Sequence, residues 1–160
     1  MNQELLDIAI ADVSYVFRKY PAMTNKGGTE PKLFHSLRVM LNPRLTTTDE
    51  RLVAIFHDGY EDMPKDFPLE RIARTYGQHI ADAVEIVTKR PDEKGMAGYK
   101  RFIQRVIDSG NKLAIAVKMA DIEDNSSYNR LVVLPEQEQV YLRQKCDAPQ
   151  GKPWGFWLVQ

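Results

Sequence analysis

The chain has 160 residues, 43% of them hydrophobic and 28% charged, with 22 basic side chains set against 22 acidic ones. That length matches one domain with a single sizeable core, and the composition is globular, neither disordered nor fibrous. Balanced charge offers no overall basic field for a nucleic acid or a membrane surface. One cysteine, Cys146, excludes an intramolecular disulfide, which fits a reducing, cytoplasmic compartment. The opening "MNQELLDIAIADV" mixes acids with its apolar residues and lacks a basic leader, so no signal peptide is expected. No apolar run approaches the ~20 residues needed to span a bilayer.

Helical periodicity runs through almost the whole chain. Leu5, Ile8, Ala9, Val13, Val16, Phe17 and Tyr20 describe one apolar stripe. Leu33, Leu37, Met40 and Leu41 repeat the spacing and stop before Pro43. In "TTTDERLVAIFHDG", Thr47 and Glu50 stand in capping-box spacing and Gly59 is a candidate stop. Further stripes follow in Leu69, Ile72, Ala73 and Tyr76, in Ile80, Ala83, Val84 and Val87, and in Tyr99, Phe102, Ile103, Val106 and Ile107. Residues 113 to 117 are apolar on every side, which predicts a central helix. A polar helix begins near Pro135 and gives way to "DAPQGKPWGFWLVQ", where Trp154, Phe156 and Trp157 need a surface to pack on. Without alternating strand patterns, the expectation is an all-α, single-domain helical bundle. Residues 1–134 form its body, and residues 135–160 a C-terminal helix and aromatic tail on the same domain.

Two loops carry polar and glycine residues of the kind that binds ligands at surfaces. "PAMTNKGGTEP" spans residues 21 to 31 and "TKRPDEKGMAG" residues 88 to 98.

The chemistry concentrates in "IFHDGYED", residues 55 to 62, an apolar run that ends in a histidine and three acids. If the helix continues, His57 shares a face with Glu61, and Asp58 with Asp62. His35 lies off the apolar stripe of its helix, and Asp121 follows the most apolar stretch of the chain. An unpaired carboxylate at the end of a buried helix is costly, and a divalent cation is one way to satisfy it. Two imidazoles and two carboxylates suit Mn²⁺, Fe²⁺ or Zn²⁺ better than thiolate-seeking metals. They leave room for a water, whose pKa the cation lowers, while Glu61 and Asp62 are near enough to orient or deprotonate it. Each residue also has a plain structural alternative. His57 can hydrogen-bond a backbone carbonyl, Asp121 can pair with Lys118, the acids can form a solvated helix end, and His79 has no partner pattern.

The stretches "NKGGTEPKLFHSLRVM", "AIFHDGYEDM", "IVTKRP" and "VKMADIEDN" follow one another as the H…HD…D motifs of HD-domain metal-dependent phosphohydrolases do. The chain resembles the RelA/SpoT-type hydrolase domain and the stand-alone small alarmone hydrolases, over roughly residues 5 to 130. That resemblance implies a helical bundle around one catalytic ion, usually Mn²⁺, with His35, His57, Asp58 and Asp121 as ligands. It implies Glu61 and Asp62 as the pair that activates water, Lys26 beside the nucleotide, and Asn125 near its ribose and phosphate. Tyr99, Lys100 and Arg101 match a more loosely kept segment that touches phosphates. The chain departs from the pattern at Asn25, where a basic residue is common, and at Ser36, where proline follows the histidine. It also departs at Tyr60 and Met63 in the HD segment, and in "SSYNR" after Asn125.

The function implied is hydrolysis of the 3′-pyrophosphate of (p)ppGpp, the stringent-response alarmone, to GDP or GTP plus pyrophosphate, with no synthetase domain. Two alternatives stand beside it. One is an HD-type phosphohydrolase for another nucleotide, a mononucleotide or an adenosine alarmone. The other is a nucleotide-binding module without turnover that docks through its aromatic tail. In each case the partner is a nucleotide rather than a nucleic acid or a membrane.

Overall fold

The computed structural model describes residues 3–20, 23–24, 30–132 and 134–146. Among them are nine helices: α1 (Gln3–Lys19), α2 (Leu33–Met40), α3 (Thr48–Asp62), α4 (Leu69–Tyr76), α5 (Gln78–Val87), α6 (Gly95–Asp108), α7 (Lys112–Ser126), α8 (Tyr128–Leu131) and α9 (Glu136–Cys146). The only extended pairing among the described residues is an isolated bridge between Thr24 and Pro31. The fold is an all-α bundle, and no described helix is long and apolar enough to cross a membrane.

α3 is the axis. Thr47 accepts from the Glu50 backbone N–H while the Glu50 carboxylate accepts from the Thr47 N–H, so the predicted capping box is present. Behind it Leu52, Val53, Ala54, Ile55 and Phe56 are each at most 1% exposed, which only a helix surrounded by others achieves. α1, α2, α5 and α7 surround it. Phe56 lies between the rings of Phe67 and Tyr76, with centroids 5.5 and 4.9 Å away. Each fully buried ring of that kind contributes about 1.5–3 kcal/mol. α7 is the second axis and packs against α2, α3, α5, α6, α8 and α9.

Gly59 does not end α3, contrary to the sequence expectation. The helix runs through it to Asp62, with Met63 as the cap. Gly59 serves the packing instead, since a Cβ there would sit 3.1 Å from Phe67 Cδ2. The continued helix keeps His57 in register with Glu61, and Asp58 with Asp62.

α2 also departs from its apolar stripe. Its buried residues are His35, Ser36, Val39 and Met40, whereas Leu41 is 69% exposed. Wedged against α3 and α7, the helix turns His35 inward, where Asp121 and Asp124 of α7 partner it. α6 starts at Gly95, inside the stretch expected to be loop. The aromatic tail, Trp154, Phe156 and Trp157, lies outside the described residues.

Candidate metal centre

Three helices deliver the central side chains: His35 from α2, His57 and Asp58 from α3, and Asp121 from α7. All four are 4–9% exposed. His35 Nε2 lies 3.0 Å from Asp121 Oδ1 and 3.7 Å from Asp58 Oδ2. His57 Nε2 lies 3.4 Å from Asp58 Oδ1 and 4.0 Å from Asp121 Oδ1. His35, His57 and Asp58 each offer one donor atom, all within 4.8 Å of one another, so the group can hold a metal ion.

Two of these atoms, His57 Nε2 and Asp58 Oδ2, are buried without a hydrogen-bond partner. The reason is local for His57, whose Nδ1 lies 2.6 Å from the Ala54 carbonyl of its own helix. A carbonyl only accepts, so Nδ1 carries the proton and Nε2 turns a lone pair inward. A buried polar atom left unpaired costs about 1–3 kcal/mol. A cation bound between the two would satisfy both.

Asp121 is held differently. Its Oδ2 accepts from Lys118 Nζ at 2.6 Å and its Oδ1 from Asn125 Nδ2 at 2.5 Å. Lys118 is itself buried, its ammonium 4.5 Å from the Phe102 ring centroid and 5.6 Å from that of Tyr99. The proposed ligands thus divide into a partly unsatisfied trio and a fourth, adjacent carboxylate already engaged by protein donors.

The electrostatics follow from this crowding. Burial pushes His35 down, but hydrogen bonds to Asp121 and Asp124 outweigh it and raise the imidazole to about 9. Burial pushes Asp58 and Asp121 up. Neighbouring imidazole and ammonium groups outweigh it and hold both below the ordinary carboxylate value: His57, His35 and Lys32 for Asp58, and Lys118 and His35 for Asp121. Lys118 is likewise raised despite burial, chiefly by Asp121. Asp58, Asp121 and Lys118 therefore carry their charge against the cost of burial because opposite charges surround them.

The centre floors a cavity of about 280 Å³. Glu61, Tyr99 and Asn125 line it, together with Lys32, Lys89, Lys118 and Arg130. Glu61 Oε2 accepts from the Lys89 backbone N–H at 3.3 Å. Asp62 instead pairs with Lys32 Nζ and is not part of the wall. Lys100 and Arg101 are not brought to the cavity. Helical steps of about 100° turn them outward once Tyr99 points in, and Arg101 donates to the Asp92 carbonyl at 3.0 Å beside a separate depression. Lys26 lies outside the described residues. His79 is exposed and pairs with Asp49 at 3.1 Å, far from this chemistry in role.

Sequence reasoning missed Lys32, Lys89, Arg130 and Asp124, and it weighed Lys118 only as an alternative partner of Asp121. Lys118 and Asp124 each stand three residues from Asp121, the spacing that puts side chains on one helix face. That was the available signal. Scanned against protein-family models the chain matches none, and a search of the curated proteins finds no match either.

Proposed function

We propose that the chain is a divalent-metal phosphohydrolase whose substrate is a guanosine nucleotide bearing a 3′-pyrophosphate, (p)ppGpp. The observation that carries the metal-site reading is the pair of orphaned buried atoms, His57 Nε2 and Asp58 Oδ2, beside His35. The substrate rests on the motif order that resembles the alarmone hydrolases, and Mn²⁺ on the same resemblance. The nitrogen and oxygen donors suit Mn²⁺, Fe²⁺ and Zn²⁺ alike.

A divalent cation held by His35, His57, Asp58 and Asp121 would supply Lewis acidity, making a water more acidic and drawing charge from a phosphoryl oxygen. The chain's own groups do the rest. Glu61 orients the attacking water and takes its proton. Water oxygen bonds to the 3′-linked phosphorus as the bond from phosphorus to O3′ breaks. Pyrophosphate leaves, and O3′ takes a proton to become the ribose hydroxyl. Lys32, Lys89, Lys118 and Arg130 offset charge on the phosphate oxygens, the positioning and electrostatic work that dominates phosphoryl transfer. Asp62 steadies Lys32.

A second reading has support in the cavity itself. About 280 Å³ is at the lower end of ligand pockets, which run from roughly 300 to 1,000 Å³. That favours a smaller phosphorylated compound, such as a mononucleotide, with the same chemistry.

The test is pyrophosphate or phosphate release from a nucleotide panel with and without Mn²⁺, using the parent protein, His57→Ala and Glu61→Gln. Mn²⁺-dependent pyrophosphate release from ppGpp, lost in both variants, is the expected result. Release from a mononucleotide alone selects the second reading. Tight Mn²⁺ and nucleotide binding with no turnover anywhere rejects hydrolysis in favour of a binding module.

A further inference from the structure

His35 reaches the centre through one nitrogen, and what holds the other nitrogen is not backbone. Its Nδ1 lies 2.7 Å from Asp124 Oδ2. Asp124, on α7, has a side chain only 9% exposed. Its Oδ1 accepts from Arg38 Nε at 2.7 Å, and its Oδ2 also accepts from Arg130 Nη1 at 2.8 Å. Arg38 is in turn gripped by both oxygens of Glu30, at 2.9 and 2.7 Å. A carboxylate held by two guanidinium groups and an imidazole nitrogen is restrained from three sides, and burial adds to its rigidity.

We infer that Asp124 is a positioning residue for the centre, fixing the His35 ring so that Nδ1–H faces outward and Nε2 faces the cavity. The inference rests on the metal-site reading above and deepens it. It leaves both Nε2 atoms facing the cavity, that of His57 without a partner and that of His35 3.0 Å from Asp121 Oδ1, and the two rings differ in what restrains them. His57 is held by its own helix, whereas His35 is held by a side chain 89 positions away. Outer partners of this kind fix the ring and raise ligand basicity, and losing one costs typically 10- to 100-fold in metal affinity.

A rival exists for the same nitrogen. Arg130 Nη1 lies 2.6 Å from His35 Nδ1, and a guanidinium can only donate. Were Arg130 the partner, Nδ1 would be bare and Nε2 would carry the proton toward Asp121. The two arrangements differ in one observable, whether Nδ1 carries a proton.

The experiment uses ¹⁵N-histidine-labelled protein without metal, then Mn²⁺ titrations followed by electron paramagnetic resonance. The parent, Asp124→Asn and Asp124→Ala are compared, with circular dichroism as the check on folding. The near-isosteric asparagine guards against a folding failure in the alanine variant. We expect a slowly exchanging, downfield Nδ1–H proton on His35 in the parent, absent or shifted upfield in both variants. We also expect Mn²⁺ affinity to fall at least tenfold in folded Asp124→Asn. A bare Nδ1 in the parent overturns the inference and hands the contact to Arg130. A present Nδ1–H with Mn²⁺ affinity within twofold of the parent in Asp124→Asn also overturns it. A present Nδ1–H in a parent that binds no Mn²⁺ defeats the metal-site reading itself, and with it any role for Asp124 there.

Discussion

Lys118 is a buried ammonium that the interior accepts because Asp121 sits 2.6 Å away and Phe102 presents its ring face. Replacing it by methionine leaves the Asp121 carboxylate buried and short of a counter-charge. Breaking such a pair from one side costs about 3–5 kcal/mol. We therefore expect Lys118→Met to lower unfolding free energy by roughly that amount in urea titrations without metal. The loss should shrink in saturating Mn²⁺, since a cation beside Asp121 would replace the missing charge. An equal loss with and without Mn²⁺ would count against Asp121 as a ligand. At this scale the sequence offered paired readings that turn out to coexist. His57 does bond a backbone carbonyl, and its second nitrogen is still left over for the cavity. Asp121 does pair with Lys118, and its Oδ1 still lies 3.0 Å from His35. What the sequence hid was the burial of His35. Hydropathy marks Leu33, Leu37, Met40 and Leu41, of which Met40 is buried, yet polar partners on α7 draw His35 inward as well and Leu41 is left exposed.

Elements were legible where an apolar stripe coincides with a buried face, as in α4 and α5, whereas of the stripe expected around α1 Ile8 and Tyr20 are exposed and Leu6 is buried instead. They were less so where backbone crowding or buried charge decides. The start of α6 is such a place. Gly98 is pressed onto the preceding turn, where a Cβ would meet the Glu93 carbonyl carbon at 2.3 Å. We expect Gly98→Ala to cost at least about 1–3 kcal/mol, the range for overpacking, measured by thermal unfolding. The same corner is tied by Glu93, which bonds Arg105 at 2.9 Å while Arg105 donates to the carbonyls of Ile86 and Thr88. Burial pushes the Glu93 carboxyl up, but Arg105 and the Arg90 backbone N–H outweigh it and hold it below its ordinary value of 4.5. A lowered carboxyl stabilises the fold fully above the ordinary value, and the contribution is lost as pH falls through the lowered one. Glu93→Gln should thus be less stable than the parent by about 1.5–3 kcal/mol at neutral pH, the range for hydrogen bonds to charged groups. The gap should hold down to about pH 5 and close below it. A gap unchanged at pH 3 would show that the ion pair contributes nothing.

For the whole molecule, a cation that binds only the folded chain must raise its stability. At a hundredfold excess over Kd the gain is about 2.7 kcal/mol, which for a chain of this size is roughly 5–11 °C in Tm. Calorimetric scans with Mn²⁺ and with EDTA should differ by that much, and His57→Ala should abolish the difference. If the parent melts at one temperature in both conditions, the orphaned atoms of His57 and Asp58 are not a metal site.

The separation of the site's parts along the chain carries a kinetic consequence. His57 and Asp58 are neighbours on α3, and the His57 ring is oriented by its own helix as soon as that helix forms. His35 and Asp124, which restrains it from α7, are 89 positions apart and meet only when α2 docks against α7. Contacts closing loops of that length are made after the local ones. Mn²⁺ should accordingly slow unfolding and leave the folding rate nearly untouched, the mark of an interaction absent from the transition state. In a chevron plot only the unfolding arm should move.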